Sequence, residues 1–312
     1  MENIMTRRLS PLALAGALAL GACGGAEPEP QYPEYDEEPA AAAPVVEAEP
    51  EPEPEPEPPP PPAVRVVAGE RTAIEGSAPS LRITSPRRNQ RIRRGDVMVR
   101  AQLRNWELGE APGKHVHLIL DNEPYIALRD LSEPLNLNEL VQEKLGHELE
   151  SGTHVIRMFP SRSQHESVKE GAPFAMVVFS YEEPTDDFEL DASAPMLTYS
   201  RPKGCYPAGE RVLLDFYLTN VEALAADGFR VAYEIDDLEG EVTSWNPHWI
   251  ENLQPGEHEI ELTLLGADGE PVEGPFNHTE RTITIADGQC PSAAPPAAED
   301  DDDADEDDED DD

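Results

Sequence analysis

The sequence predicts an all-β protein made of two β-sandwiches in tandem, flanked by disordered segments. Beyond about residue 80, short runs of alternating apolar residues are separated by turn residues at the spacing of a sandwich. These runs fall into two sets, at 80–183 and 195–290, joined by a linker at 184–194. Much of the net charge of −42 lies in the flanking segments, which have too little apolar surface for a packed core.

Each set contains four predicted strands. The first set comprises 97–103, 115–120, 154–159 and 174–181, and the second comprises 212–218, 229–235, 258–265 and 279–285. The Asp268-Gly269 pair between two apolar runs of the second set is typical of a hairpin turn.

The two sets are repeats of one another. The stretch "GKHVHLILDN" aligns with "GFRVAYEIDD" at an offset of 115 residues, so that Asp121 matches Asp236. Farther on, "GTHVI" aligns with "GEHEI" at an offset of 104, which matches His154 with His258 and indicates packing or turn-capping residues. The difference of 11 residues between the two offsets predicts an insertion in the first repeat, within residues 132–146.

The insertion is predicted to form a short helix beside the first sandwich. Leu137, Leu140, Val141 and Leu145 recur at helical spacing, and Gly146 would end the helix.

Two such modules, with Ser85-Pro86 at the first strand and a G-x-H-x-[IV] pattern before a late strand, resemble the tandem immunoglobulin-like domains of bacterial surface and periplasmic proteins. The resemblance covers about residues 80–288 and implies an immunoglobulin-like sandwich in each repeat. A fibronectin-like or another sandwich topology fits the same pattern.

Residues 1–22 have the form of a secretory signal, in which Arg7 and Arg8 precede an uncharged apolar run too short to span a bilayer. The following Leu20-Gly21-Ala22-Cys23 resembles a bacterial lipobox, after whose cleavage the cysteine becomes the first residue and carries acyl chains. The resemblance implies a lipid-anchored protein of the cell envelope, and Gly24 in place of aspartate implies the outer membrane, in a periplasmic or surface-exposed position. The alternative is an ordinary signal peptide that leaves a free thiol at Cys23.

Residues 23–79 are predicted to form a disordered spacer rich in glutamate and proline, because proline removes backbone donors and disfavours helix and sheet. An extended polyproline conformation of ~3.1 Å per residue would hold the folded modules away from the membrane. Recognition of this tract by an aromatic groove is the alternative. Residues 291–312 end in 13 acids among 14 residues and are predicted to be a disordered acidic tail.

The charge distribution makes nucleic acid an unfavourable partner. Residues 81–182 carry 14 acids and 14 bases, residues 193–290 carry 18 acids and 5 bases, and the acidic tracts would repel phosphates. One basic cluster, "RRNQRIRR", supplies candidate ligand-binding residues for an anionic glycan, lipid head groups or the protein's own tail, and a solvated turn is the alternative. Its arginines are Arg87, Arg88, Arg91, Arg93 and Arg94.

Cys205 and Cys290 flank the second module, one near its first strand and the other just after its last strand. Because these strands commonly lie close together in a sandwich and the protein is expected to be exported, we predict a disulfide between them. Closing a loop of this length contributes up to ~4–5 kcal/mol through chain entropy. Two reduced cysteines are the alternative.

His115 and His117 in "HVHLILD" are candidate metal ligands. In a strand they point to the same face, about 7 Å apart, a geometry suited to copper or zinc. His154 and His165 would join them if their strands were adjacent. The alternative is a solvated or structural role, because the equivalent face of the second module is polar.

Trp245 and Trp249 in "WNPHW" are candidates for stacking on a sugar, with edge or core packing as the alternative. The sequence contains no nucleophile elbow, P-loop, zinc-protease motif or dinucleotide-binding glycine loop. We therefore predict a non-enzymatic protein without a cofactor.

Together these features predict an envelope lipoprotein for adhesion, scaffolding or ligand binding, with a lipid anchor in the membrane and an envelope protein or glycan as partner. A copper- or zinc-binding protein using His115 and His117 and a carbohydrate-binding accessory protein are the two alternatives.

Overall fold

Two β-sandwiches contain nearly all the regular structure of residues 60–291, which are the residues that the computed structural model describes. The leader, Cys23, the spacer up to residue 59 and the acidic tail from residue 292 lie outside this range, so their predicted roles stay predictions. None of the helices in the described range has the length and apolar character needed to cross a membrane.

The elements alternate with short turns along the chain. Up to residue 181 they are β1 (Arg65–Ala68), β2 (Ser80–Ser85), β3 (Gln90–Ile92), β4 (Met98–Arg104), β5 (His115–Leu120), β6 (Ile126–Leu128), β7 (Leu135–Asn136), α1 (Leu137–Leu145), β8 (Gly152–Ser161) and β9 (Ala175–Tyr181). After the linker they are β10 (Met196–Arg201), β11 (Gly204–Pro207), β12 (Val212–Thr219), β13 (Arg230–Ile235), β14 (Leu238–Val242), β15 (His248–Glu251), β16 (Gly256–Leu265) and β17 (His278–Ala286).

The two sandwiches share a strand arrangement, to which β1 adds one edge strand in the second. The first packs a sheet of order β2-β4-β7 against one of order β3-β9-β8-β5-β6, and the second packs β1-β15-β12-β10 against β11-β17-β16-β13-β14. In each, the first edge strand is divided, so that its second part pairs in parallel with the last strand, β3 with β9 and β11 with β17. The chain is therefore an all-β protein of two tandem immunoglobulin-like sandwiches, as the strand rhythm predicts, and all eight predicted strands form.

The internal repeat extends to individual hydrogen bonds. The Nδ1 atom of His154 lies 2.7 Å from Oδ2 of Asp121, and the Nδ1 atom of His258 lies 2.6 Å from Oδ2 of Asp236. In both copies the second ring nitrogen faces a backbone carbonyl, and the other oxygen of the aspartate accepts a backbone N–H of the adjacent strand. The predicted turn-capping role of the two histidines is thus confirmed.

The predicted helix forms at the predicted place, over Leu137–Leu145. The side chain of Asn136 caps its start by accepting the N–H groups of residues 138 and 139, and Gly146 ends it in the left-handed region, at φ 85°. Leu137 and Val141 are buried in the first core, which fixes the helix against the sandwich.

The predicted disulfide between Cys205 and Cys290 is present. It joins β11 to the segment just after β17, which are neighbours because these two strands pair in parallel.

The predicted spacer is wrong at its end, because β1 lies within residues 23–79 and completes the second sandwich. Arg65 to Ala68 pair antiparallel with β15, and Val66 packs against the second core. The chain then crosses to the first sandwich, where Arg162 donates a hydrogen bond to the carbonyl of Thr72. Only the four-residue run "RVVA" indicates this strand, and its partner lies about 180 residues away in the sequence.

The sandwiches share an interface in which the outer face of the five-stranded sheet of the first covers β10 and β12 of the second. Val155 packs with Met196 and Phe276, and Phe159 packs with Tyr217. The central strands of the first sandwich are consequently buried on both faces.

Candidate functional site

His115 and His117 lie on β5 with both side chains fully buried. Their face of the strand is opposite to the one that carries Val116 and Leu118 into the first core. Strand β10 of the second sandwich covers this face, and Ser200 reaches the ring of His117. Of the solvated or structural role given as the alternative, the solvated part is wrong, because the five-stranded sheet here packs against a neighbour, whereas the equivalent face of β13 is partly exposed.

The connection between β8 and β9 adds a third histidine. His165 is half-buried, and its ring centroid lies 4.6 Å from that of His115 and 5.9 Å from that of His117. One ligand nitrogen of each ring lies within 4.8 Å of the others, and we call these three residues the histidine cluster. His154, the other expected member, lies elsewhere, bonded to Asp121.

Hydrogen bonds assign most of the protons of the cluster. The Nδ1 atom of His115 lies 2.9 Å from the carbonyl oxygen of Gly113, which can only accept, so the lone pair of His115 is on Nε2. That Nε2 lies 3.0 Å from Nε2 of His117, whose Nδ1 lies 3.1 Å from Oγ of Ser200. Since a hydroxyl donates or accepts, His117 carries its proton either on Nε2, facing His115, or on Nδ1, facing Ser200.

Tyr125 fixes the remaining ring positions. Its hydroxyl lies 3.0 Å from Nδ1 of His165, and its ring stacks on that of His117 with centroids 3.6 Å apart and planes at 10°. A buried tyrosine thus holds two imidazoles in place and leaves Nε2 of His165 free of this contact.

Burial keeps the cluster neutral at neutral pH. It lowers the pKa of His115, lowers that of His117 well below its ordinary value and lowers that of His165 to about 3. The charge of Arg201 acts in the same direction on all three rings. Neutral imidazole is the form that binds a metal ion.

The surroundings of the cluster are basic. Lys203 donates to the carbonyl oxygen of Tyr125 at 2.5 Å, and its Nζ lies 4.1 Å from the centroid of the Tyr125 ring. Burial, followed by the charge of Arg201, lowers the pKa of Lys203 to about 8. The group of three metal-capable side chains contains no carboxylate.

The predicted arginine cluster lies on the surface of the first sandwich and is larger than "RRNQRIRR". All of its arginines are exposed, and three further exposed arginines point outward from β2 and β4. Within the described residues only Arg91 of this set has a carboxylate partner, Glu183. We call the set the arginine surface: Arg82, Arg87, Arg88, Arg91, Arg93, Arg94, Arg100 and Arg104.

Trp245 and Trp249 each have their own packing contacts. The indole of Trp245 donates to the carbonyl of Phe216 at 3.0 Å and packs edge-on against Tyr217, contacts that favour the packing alternative over stacking on a sugar. Trp249 lies on β15, where the guanidinium carbon of Arg211 is 4.1 Å from its ring centroid. The contacts of both rings are those of packing residues.

Buried charges at the interface are the feature that sequence reasoning missed. Lys169 and Asp215 form an ion pair between the sandwiches, and Arg157 donates to Oγ1 of Thr198 at 2.9 Å while its guanidinium lies 3.8 Å from the ring centroid of Phe276. Burial lowers the pKa of Arg157 to about 9. A single charge within an apolar strand, as in "VLLDFYL" and "HVIRMF", is the signal that could have located these residues.

No protein-family model and no curated protein match this chain. Solved structures that align with it include the fibronectin(III)-like modules of Clostridium thermocellum CbhA, at 14% identity and TM-score 0.24, covering 66% of this chain and 94% of that one. SGBP-B of the Bacteroides ovatus mixed-linkage glucan utilization locus, in complex with a mixed-linkage heptasaccharide, aligns at 12% identity and TM-score 0.19, covering 66% of this chain and 47% of that one. The two tandem V-type regions of VCBP3, a v-region-containing chitin binding protein, align at 9% identity and TM-score 0.21, covering 67% and 100%. At these values the similarities assign no ligand, and the immunoglobulin-like fold class follows from the strand order of the chain itself.

Proposed function

We propose that this chain is a non-enzymatic binding protein of the bacterial cell envelope, anchored by a lipid on Cys23, whose arginine surface binds an anionic polysaccharide. The observation that carries the proposal is the concentration of eight exposed arginines and one acid, Asp96, within residues 80–104 of a strongly acidic protein.

The arrangement of these arginines suits an extended polyanion. Arg82 on β2 and Arg100 and Arg104 on β4 project from the outer face of one sheet, in which alternate residues of a strand are separated by about 7 Å. The other five lie along the edge formed by the β2–β3 turn, β3 and the loop that follows it. Clustered like charges repel one another, and a polyanion would relieve that repulsion over the whole surface.

The interface between the sandwiches supports a role in which the two modules hold a ligand as one unit. Buried hydrogen bonds and an ion pair join the two modules, so a ligand held by the first sandwich would be held by the whole folded unit. The lipid on Cys23 would anchor this unit, and the proline-rich segment would hold it at a distance from the membrane.

Binding to a sulfated dextran and to polygalacturonate tests the proposal. We expect Arg93→Ala/Arg94→Ala to weaken binding about tenfold and to reduce its salt dependence, because exposed charges act through a screened Coulomb attraction. Lys144→Ala/Arg211→Ala, which removes two exposed charges elsewhere, is the matched control and should change binding little. Equal effects of both pairs would contradict an arginine surface with this role.

Two further variants distinguish other occupants of the surface. A chain ending at residue 291 that binds polyanions much more tightly would identify the acidic tail as the occupant. Tighter binding to phosphatidylglycerol vesicles than to either polysaccharide, by Cys23→Ser protein, would identify a membrane surface. The anchor itself is tested by the intact mass of the mature protein and by release of the Cys23→Ser variant from the membrane fraction.

A further inference from the structure

We propose that the histidine cluster binds one monovalent copper ion through the Nε2 atoms of His115, His117 and His165. This site is independent of the arginine surface. It extends the predicted pair His115 and His117 by a third ligand, His165, and assigns the oxidation state of the ion.

The three rings are held so that Nε2 is the nitrogen without an oxygen partner, and the Nε2 atoms of His115 and His117 face each other. Each Nδ1 atom has its own oxygen partner: the carbonyl of Gly113 for His115, Ser200 for His117 and Tyr125 for His165. Such outer partners orient a ligating imidazole. The Gly113 carbonyl fixes the proton of His115 on Nδ1, and the hydroxyls of Ser200 and Tyr125 can accept a proton from Nδ1 of the other two rings. These partners come from three separate parts of the chain, so the orientation belongs to the folded protein.

The distances nearly fit a metal centre. Metal–nitrogen bonds of about 2.0–2.1 Å allow two ligand nitrogens to lie at most about 4 Å apart. The Nε2 atoms of His115 and His117 are 3.0 Å apart, and one ring nitrogen of each of the three histidines lies within 4.8 Å of the others. A shift of less than about 1 Å by His165 closes the difference. His165 lies in the connection between β8 and β9 and is half-buried, whereas the other two rings are fully buried, so it is the ring of the cluster that solvent reaches.

The charges favour a monovalent ion. The ligands are three neutral imidazoles with no carboxylate among them, and the positive charges of Arg201 and Lys203 lie close enough to lower the pKa of all three rings. Each additional charge on a buried ion would add to this repulsion. Imidazole suits both copper and zinc, and of these copper is the one available as a monovalent ion.

A network without metal is the competing interpretation of the same contacts. A proton on Nε2 of His117 would be donated to Nε2 of His115, and Ser200 would donate to Nδ1 of His117. That arrangement satisfies every group of the pair and needs no ion. The two interpretations differ in whether the cluster binds copper.

The test is an anaerobic titration of the untagged mature chain with Cu⁺, using bicinchoninate as a coloured competitor. We expect one Cu⁺ per chain, bound at least about 100-fold more weakly by His165→Ala and about 10-fold or more weakly by Tyr125→Phe, which removes only the outer hydroxyl partner. His147→Ala is the matched control, because this exposed histidine lies outside the cluster, and it should bind as the wild type does. Cu⁺ should raise the melting temperature of the wild type and leave that of His165→Ala unchanged.

X-ray absorption at the copper edge completes the test, with nitrogen ligands at about 2.0 Å expected. Oxygen ligands, or binding that disappears when the chain ends at residue 291, would place the ion on the acidic tail and overturn the proposal. Stoichiometric binding of Zn²⁺ but not Cu⁺ would overturn the choice of ion. No binding of either ion by the folded wild type, or equal binding by wild type and His165→Ala, would leave the proton network as the correct interpretation.

Discussion

The Nζ atom of Lys169, in the first sandwich, lies 2.7 Å from Oδ1 of Asp215, in the second, and both side chains are buried. Ser167 adds a hydrogen bond from its hydroxyl to the same oxygen at 3.0 Å and one from its backbone N–H to the other oxygen at 3.2 Å. The carboxylate is therefore satisfied entirely from the opposite sandwich. The interface between the sandwiches therefore combines apolar packing with a buried ion pair, and the ion pair forms only when the two sandwiches have this relative position.

Asp215→Asn is expected to lower the free energy of unfolding by about 3–5 kcal/mol, because it leaves the Lys169 ammonium buried without a counter-charge. Lys169→Met/Asp215→Leu, which removes both charges, should lose less than the single variant. Urea unfolding followed by tryptophan fluorescence measures both, with exposed Asp227→Asn as the control. A double variant as unstable as Asp215→Asn would contradict an unpaired charge as the cause.

Loss of the disulfide should destabilise the second sandwich. Cys205→Ser is expected to reduce the free energy of unfolding by about 3–4 kcal/mol. The cross-link joins residues 85 positions apart, and without it the unfolded chain gains conformational entropy. Cys290→Ser and the double variant should lose the same amount, because all three remove one cross-link. Unequal losses would mean that a single cysteine contributes through its own packing.

His154 should make stability depend on pH. Burial lowers its pKa, but the hydrogen bond and charge of Asp121 outweigh burial and raise the pKa above the ordinary value. A raised folded-state pKa stabilises the protein fully below the unfolded-state pKa of about 6.5, and this stabilisation is lost as pH rises through the folded-state value. The stability difference between wild type and His154→Gln should therefore be greatest near pH 6 and decrease towards pH 8.5.

Chemical denaturation of the two proteins over this pH range measures the difference directly. Every other titrating group is common to both, so their contributions cancel. A difference that grows with pH would show that His154 acts as a neutral residue.

The pairing of β1 with the second sandwich can be tested at Val66, with the neighbouring Val67 as the control. Val66 packs against the second core, whereas Val67 is 37% exposed. Val66→Asp is expected to cost about 2 kcal/mol or more, because it places a charge against apolar side chains, and Val67→Asp should stay within about 0.5 kcal/mol of the wild type. Equal effects would mean that this segment does not pair as a strand in solution.

The features that could be predicted from the sequence are those encoded over short distances. Period-two alternation located the strands, helical spacing with Gly146 located α1, and the position of two cysteines around one module located the disulfide. The features that could not be predicted depend on contacts between distant segments. Strand β1 is only four residues long, and its partner β15 lies far along the chain. In addition, no local sequence pattern indicates which face of a sheet will be covered by a second module.

The histidine cluster was likewise predictable only in the part that is encoded locally in the sequence. His115 and His117 stand out because they alternate in an apolar strand. His165 lies in the polar stretch "SRSQHES", where a histidine is unremarkable, and only the packing of the β8–β9 connection brings it to the other two. The direction of the His115 and His117 side chains was predictable, but their burial was not.

The pairing of β1 also determines an order of assembly. Arg65 bonds to Glu251, 186 positions later, while strands β2 to β9 of the first sandwich come from one continuous stretch of chain. Closing a loop of that length is slow compared with forming local contacts, so the first sandwich can fold while the second is still being synthesised or exported. Strand β1, the first strand of the described residues, then stays unpaired until its partner β15 is available.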